Sequence, residues 1–301
     1  MGQTLREVIR ETTARHLDAG HLVMGQCLTA VGWVGGTLPE RQDMTEFPMS
    51  DVAQSGFVVG AALVGRRPIY VIRYQGFNWF NFPIVLNYAA KSKAIWGRPC
   101  PLLIRSIAME GRIGPTSGSS HHAIAYRMPG VKIFSPMTPG EWLLAYEEFM
   151  AGDDVVLLSE HRGAYDCDQE FTGWIAGGRL PDIYLFPISI TRFAAVEAAI
   201  QLNAEGISAV VCHLERIKPL PVVQSELEAL ARAGRGVVID DDYQDGVAKA
   251  IANDLANLTG ARVTAMGLED RTAGFADRFD NLPPSAAKIA AHVRRELRRR
   301  I

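Results

Sequence analysis

Cysteine is scarce, with Cys27, Cys100, Cys167 and Cys212 scattered through 301 residues. That spacing excludes a disulfide-stapled scaffold and a paired-cysteine zinc site, and it predicts reduced thiols in the core. Long apolar runs are missing as well, and nothing approaches the ~20 residues that a membrane-spanning helix needs. There is no excess of charge: 31 Lys and Arg against 33 Asp and Glu leave a formal net charge of −2. Such a balance offers nucleic acid or an anionic membrane no overall attraction, so neither is expected as a partner. The opening MGQTLREVIRETTARHL lacks the basic-then-apolar layout of a secretory signal, which predicts a cytoplasmic protein. No phosphate-loop consensus, HExxH, GxSxG or CxxC occurs, so the commonest self-contained active sites are not signalled.

What is present is a regular alternation of short apolar runs with amphipathic stretches, in a chain that is 48% hydrophobic and 21% charged. Thr4 and Glu7 form a T-x-x-E capping box ahead of Leu5, Val8, Ile9 and Leu17, predicting a first helix. A strand follows over Leu22–Met24, then a helix capped by Ser50 and closed by Gly65, and a strand over Pro68–Ile72. The rhythm continues with a helix over Phe82–Ala94, strands over Leu102–Ser106 and Val131–Ser135, a helix from Pro139 to Met150 and a strand over Val155–Ser159. From Glu160 to Pro181 glycine, proline and charge replace the period, so this stretch reads as a link between two domains. Beyond it come strands over Ile183–Phe186, Ala209–Cys212, Val237–Asp240 and Arg262–Ala265, separated by helices, with a last helix after Pro284. Strands buried on both faces and alternating with helices predict two open parallel-sheet α/β domains, the second one smaller.

Two glycine-rich pieces, GWVGG (Gly32–Gly36) and GPTSGSS (Gly114–Ser120), read alone as ordinary turns. Their surroundings say more. Phe47-Pro48-Met49-Ser50-Asp51 is followed by VAQSGFVVGAALVGRRPIYVIRY and then FNWFNFPIVLNYAAKS. This resembles the beta subunits of thiamine-diphosphate-dependent 2-oxo acid dehydrogenases. There a TPISE segment opens a small-residue helix, a G-x-RP turn leads to a strand, and an aromatic-rich loop precedes a helix ending N-x-AAK. Gly65, Arg66, Arg67 and Pro68 match the turn, and Asn87, Ala89, Ala90 and Lys91 match the last motif. PLLIRS, GPTSGSSHHAIAYRMPGVKIFSP and SEHRGAYD are similar to the family's next strand, active-site loop with its following strand, and E-x-x-x-x-Y segment, so the resemblance runs nearly end to end.

The resemblance implies a transketolase-like pyrimidine-binding domain over residues 1–165, a linker over 166–181 and a transketolase-type carboxy-terminal domain over 182–301. It implies thiamine diphosphate and magnesium as cofactors, with the diphosphate and the metal held mainly by an alpha-type partner, in an α2β2 assembly. The partner's GDG motif and later Asn are missing from this sequence, and no metal ligand is expected in it. Asp51 stands where the family has the Glu that bonds the aminopyrimidine, so the resemblance makes it the expected acid–base residue. Read without the family, Asp51 only complements a helix amino terminus, worth ~0.3–1 kcal/mol. Gln26 stands where a Glu usually follows the first strand, and Ser117 where the dehydrogenases carry the His that lines the path to their lipoyl acceptor. His121 and His122, just downstream, are expected to manage protons in its place, the plainer alternative being that one caps the following helix. Of the aromatic residues Tyr74, Phe77, Trp79, Phe80 and Phe82, the resemblance makes Tyr74 or Phe77 the one expected to stack on the pyrimidine.

The expected function is therefore that of a beta-type subunit of a two-component thiamine diphosphate enzyme acting on a 2-oxo acid or a ketol. A split transketolase or an acyloin-forming carboligase subunit is the second reading. A non-catalytic structural partner subunit is the reading of a different class.

Overall fold

A computed structural model describes residues 2–30, 32, 34–109, 114, 117–171, 180–221, 223–271, 274–276 and 282–299. The first half runs through α1 (Leu5–Asp18), β1 (Leu22–Gly25), β2 (Thr45–Glu46), α2 (Asp51–Leu63), β3 (Pro68–Ile72), α3 (Asn78–Ile84) and α4 (Ala90–Trp96). It continues with β4 (Leu102–Ala108), α5 (Ala123–Tyr126), β5 (Val131–Phe134), α6 (Pro139–Ala151) and β6 (Val155–His161). The second half holds β7 (Ile183–Pro187), α7 (Thr191–Ala204), β8 (Ala209–Val211), β9 (Arg216–Lys218) and α8 (Gln224–Ala233). It ends with β10 (Arg235–Tyr243), α9 (Val247–Thr259), β11 (Arg262–Leu268) and α10 (Ala286–Arg298).

Two sheets result. The larger has seven strands in the order β2-β1-β3-β4-β6-β5-β9, all parallel except β9, which lies antiparallel to β5. The smaller has four parallel strands in the order β11-β10-β7-β8. Side chains alternate along each strand and explain three apolar layers. Leu103 and Ile107 of β4 face the layer that holds Leu5 and Ile9 of α1 and Trp142 and Phe149 of α6. Leu102 and Ile104 face the opposite layer, which continues without interruption into Tyr184, Phe186, Val238 and Ile251 of the second half. The third layer backs the smaller sheet with Ile183, Leu185, Val237, Ile289 and Val293. The two sheets therefore share the middle layer, and the halves are packed on each other. Among the described residues no helix is long and apolar enough to cross a membrane.

Local chemistry accounts for the element ends. Glu7 Oε2 accepts from the Thr4 N–H at 2.8 Å and Thr4 Oγ1 accepts from the Glu7 N–H at 3.3 Å, which closes the expected capping box. Ser50 sits at the N-cap of α2, but its side chain makes no capping bond. The helix over Phe82–Ala94 begins earlier, at Asn78, and passes through Pro83 into a π-helical stretch over Val85–Ala89 before α4. Pro83 gives no N–H to the ladder, and a wider turn is the usual way to absorb such a fault. Glu160 and His161 do not begin a linker: they complete β6, opposite Ile107 and Ala108. Residues 172–179 of the expected linker lie outside the described residues. Of the four thiols only Cys100 is fully buried; the others are half-buried, and none is in a disulfide.

Buried His16 gives the fold a pH dependence. Its Nε2 lies 2.9 Å from the Arg67 carbonyl oxygen and its Nδ1 lies 3.0 Å from the Tyr146 hydroxyl. Burial, helped by the neighbouring His21, pushes its pKa down to about 4. The unfolded chain therefore takes up a proton between the ordinary value of about 6.5 and the folded value, and the stability held above that window is lost as pH falls through it. The loss expected from His16 alone is roughly 2–3 kcal/mol. Urea unfolding at pH 7 and pH 4.5 checks this: His16→Gln, which keeps polar groups in place without titrating, should shrink the difference by that amount. An unchanged difference rejects the assignment.

Candidate active site

The expected site residues gather at the carboxyl edge of the larger sheet, where parallel strands end and their loops diverge. A Cβ on Gly25 would lie 2.6 Å from the Val71 carbonyl oxygen, so glycine lets β1 end tight against β3 before the chain turns to Gln26. Cys27 then adopts φ 55°, unusual for a side chain of its type. The turn leaves Gln26 Nε2 buried without a hydrogen-bond partner. An amide donor in that condition is open to an acceptor that the described residues do not supply. Beside this loop lies an open cavity of about 990 Å³, lined in part by Leu28, Thr29, Arg41 and Glu46.

Asp51 is the first residue of α2 and is half-buried. Asn81 Nδ2 donates to Asp51 Oδ1 at 2.9 Å and to the Phe77 carbonyl oxygen at 2.9 Å. The Tyr70 hydroxyl donates to Asn81 Oδ1, with Gln54 Oε1 3.3 Å away, and Gln54 Nε2 donates to the Pro48 carbonyl oxygen at 2.8 Å. Burial, with the Asp51 charge adding to it, pushes the Tyr70 phenol far up, so it stays a donor. This chain of polar groups orients one oxygen of Asp51. The other makes no hydrogen bond among the described residues.

The aromatic loop follows β3. Tyr74 and Phe77 meet edge-on with ring centres 5.8 Å apart. The guanidinium of Arg73 lies 4.5 Å from the Tyr74 ring centre and that of Arg162 lies 5.7 Å from it, a cationic setting for an electron-rich face. Phe77 packs against the shared apolar layer. Between them, buried Gln75 accepts from the His121 N–H at 2.6 Å through Oε1 and donates to Ser159 Oγ at 2.8 Å through Nε2. The aromatic loop and the histidine loop are thus held as one unit.

The adjacent histidines have different fates. Burial, with the neighbouring His122 charge, pushes His121 down to about 4, so its half-buried ring is neutral at pH 7; it lies 6.2 Å from the Tyr243 ring. His122 is fully buried, with Nδ1 3.0 Å from Ser159 Oγ and Nε2 2.9 Å from Asp240 Oδ2. Burial works against its charge, but Asp240 outweighs it and pushes the pKa up to about 9. Neither ring caps α5: the Ala123 N–H is taken by Asp242 Oδ2 at 3.1 Å. Ser117 is half-buried in the preceding turn and makes no hydrogen bond among the described residues. Its neighbours 115 and 116 lie outside them.

The sequence reading missed the group that surrounds His122. Asp240, Asp241 and Asp242 are all buried, although successive strand residues point to opposite faces. Both faces of β10 are covered, Val238 lying in one apolar layer and Val237 and Ile239 in another, so consecutive residues are buried alike. The register of β10 against β11 also shifts between Ile239 and Tyr243, beside these acids. Asp241 Oδ2 accepts from Ser120 Oγ at 2.6 Å and from Ser189 Oγ at 3.0 Å. Burial, with Asp240 beside it, pushes Asp241 up to about 7, and burial pushes Asp242 up to about 6. The signal in the sequence was three consecutive acids directly after the apolar run Val237–Ile239, more charge than a strand end needs.

Comparison with known proteins agrees with this architecture. The pyrimidine-binding domain of transketolase matches residues 5–167, and the transketolase C-terminal domain matches residues 179–289. The beta subunit of acetoin:2,6-dichlorophenolindophenol oxidoreductase from Cupriavidus necator is 25% identical over 275 residues, covering 85% of this chain and 80% of the relative. The beta subunit of 2-oxoisovalerate dehydrogenase from Bacillus subtilis is 29% identical over 229 residues, covering 68% and 67%. Among solved structures, an inactive beta4 tetramer of a split-gene transketolase superposes with a TM-score of 0.74 at 16% identity, covering 99% of both chains. Transketolase from Campylobacter jejuni gives the same TM-score at 14% identity, and this chain spans 47% of its length. With both domains matched in order and the site-bearing strands laid out as described, the chain belongs to the transketolase family, in the two-domain form of the 2-oxo acid dehydrogenase beta subunits.

Proposed function

We propose that this chain is the pyrimidine-side, beta-type subunit of a two-component, cytoplasmic thiamine diphosphate enzyme that breaks or forms a bond beside the carbonyl of a 2-oxo acid or ketol. The observation that carries the reading is Asp51: a carboxylate at the family's acid–base position, with one oxygen oriented by Asn81 and the other open. The neighbouring residues fit the pyrimidine half of the cofactor. Gln26 offers a buried, unused amide donor, and Phe77 and Tyr74 offer aromatic surface. When bound, the cofactor supplies an electron-poor ring that holds the electron pair left by bond cleavage. Asp51 holds and returns a proton at its open oxygen, and Gln26 orients by donating a hydrogen bond. The neutral His121 ring can take part in hydrogen bonding on the substrate side, and the Gln75 bond to its backbone keeps it beside the aromatic loop.

The residues expected to hold diphosphate and magnesium are not in this sequence. An alpha-type subunit therefore completes the site, and α2β2 is the proposed assembly. Calorimetry should show weak binding of thiamine diphosphate with magnesium to the isolated chain, and restored binding and turnover once the partner is added. Strong binding by the chain alone would sink the half-site argument. Cofactor binding without turnover in the complete complex would favour the non-catalytic structural reading.

Ser117 supports the second reading, a split transketolase or acyloin-forming carboligase, because it brings no imidazole to the acceptor side. Giving the complex an aldehyde and a lipoylated domain in competition separates the two: preference for the lipoyl group restores the ordinary dehydrogenase reaction.

A further inference from the structure

We infer that the cavity beside α8, where the chain leaves β8, is a binding site for a small molecule with a positively charged ammonium group on an apolar body. β8 is an edge strand of the smaller sheet, and the chain that leaves it crosses to β9 in the larger one. α8 follows this crossing, and a cavity of about 290 Å³ is left between them, near the lower end of the ~300–1,000 Å³ usual for small-molecule sites. Phe186, Leu214, Leu220, Leu227, Leu230 and Leu255 give it apolar walls. None of the residues assigned to the proposed reaction lines it.

The charge that this cavity presents has one sign. Glu215, in the crossing, and Glu226, in the first turn of α8, both line it and are half-buried. Neither has an ion-pair partner among the described residues. Burial pushes the Glu226 carboxyl up and the Glu215 charge adds to this, so the two carboxylates act on the same space. Glu226 also complements the positive end of α8, a role that Glu215, outside any helix, does not share. Two like charges partly withdrawn from water against apolar walls are unfavourable without a counter-charge, and a ligand ammonium supplies one.

The other polar groups of the lining leave that field uncancelled. Arg192 is fully buried, and both of its terminal nitrogens donate to Glu141, Nη1 at 2.7 Å, so its charge is offset there. Its Nε donates to His213 Nδ1 at 3.2 Å. A guanidinium has no acceptor, so Nδ1 must accept and the neutral ring carries its proton on Nε2. Burial, with the Arg192 charge, pushes His213 down to about 3, which keeps it uncharged at pH 7. Phe171 stacks on the His213 ring with centres 4.1 Å apart and fixes its plane. Burial, with Glu226 adding to it, pushes the Cys212 thiol up, so it too stays neutral. An anionic ligand is therefore repelled, and a neutral one leaves both carboxylates without a counter-charge. An ammonium on an apolar body satisfies the walls and the carboxylates together.

The test is calorimetry of the full chain with probes of nearly one shape and different charge: 2-phenylethylamine, 2-phenylethanol and 3-phenylpropanoate. The amine is expected to bind once per chain and about 10–100-fold more tightly than the alcohol, the difference that a hydrogen bond to a charged group makes. The acid should show no binding. Glu215→Gln and Glu226→Gln keep the size of the side chain and should each weaken the amine by about 10-fold, whereas Glu228→Gln, exposed on the same helix, should change nothing. If one glutamine variant fails to fold, the other and the ranking of the probes by the unaltered chain decide. Equal binding of amine and alcohol, no binding of the amine at about 10 mM, or an amine affinity that the glutamine variants leave unchanged overturns the site. So does an affinity that is lost in Asp51→Asn instead, since that result puts the amine among the aromatic residues of the candidate active site. None of these measurements uses turnover, cofactor or partner, so they stand apart from the proposed reaction.

Discussion

Asp51→Asn is expected to lower turnover of the reconstituted enzyme by about 100–10,000-fold, the usual worth of a positioned proton-transfer group. The substitution isolates chemistry from structure. An asparagine keeps an oxygen for the Asn81 amide, so the chain from Gln54 through Tyr70 and Asn81 remains in place. What disappears is the capacity of the second oxygen to hold a proton and give it back. The cost in stability is limited to the charge at the start of α2, about 0.3–1 kcal/mol. Exchange of the cofactor's reactive proton, followed by magnetic resonance, should slow in step with turnover. Asp51→Glu restores the family's residue one methylene longer, and retained activity there would show that the position is read for its carboxyl group. Turnover of Asp51→Asn at the unaltered rate would reduce Asp51 to a helix-end charge.

Much of this architecture was legible in order and type. The capping box at Thr4 and Glu7 announces α1 because its partners are three residues apart. The central strands are apolar runs because both of their faces are covered. β9 was illegible for the opposite reason. Its Arg216 and Lys218 look like loop residues, yet Arg216 pairs with Glu148 and Lys218 Nζ donates to the carbonyl oxygens of Tyr126 and Met128. The site was half legible. Asp51, Gln26, Tyr74 and His121 lie in motifs whose order is local. The bond between His122 and Asp240 spans 118 residues, and no periodicity reports a contact of that separation. The register shift of β10 against β11 beside Asp241 is equally silent, since it depends on pairing between distant strands.

Glu160 shows the same blindness with the largest consequence for stability. Charged and close to glycine, it reads as the start of a linker; in the fold it is 1% exposed and accepts four hydrogen bonds. Arg105 donates to it through Nε at 2.7 Å and a second guanidinium nitrogen at 2.9 Å, Trp142 Nε1 at 3.2 Å, and the Tyr165 hydroxyl at 2.8 Å. Glu160→Ala is therefore expected to destabilise by about 3–5 kcal/mol or more, because it strands a fully buried guanidinium along with two further donors. Thr37 Oγ1, 2.8 Å away, would still accept from Arg105. Arg105→Ala should cost less, although it breaks the same pair. The carboxylate it leaves behind keeps Trp142 and Tyr165 as donors and can take up a proton, an escape that a guanidinium lacks. Urea unfolding of the two variants at pH 7 should rank them in that order, and lowering the pH should narrow the deficit of Arg105→Ala alone. Equal losses, or a greater loss for Arg105→Ala, would mean that packing around the removed side chains, and not the stranded charge, sets the cost.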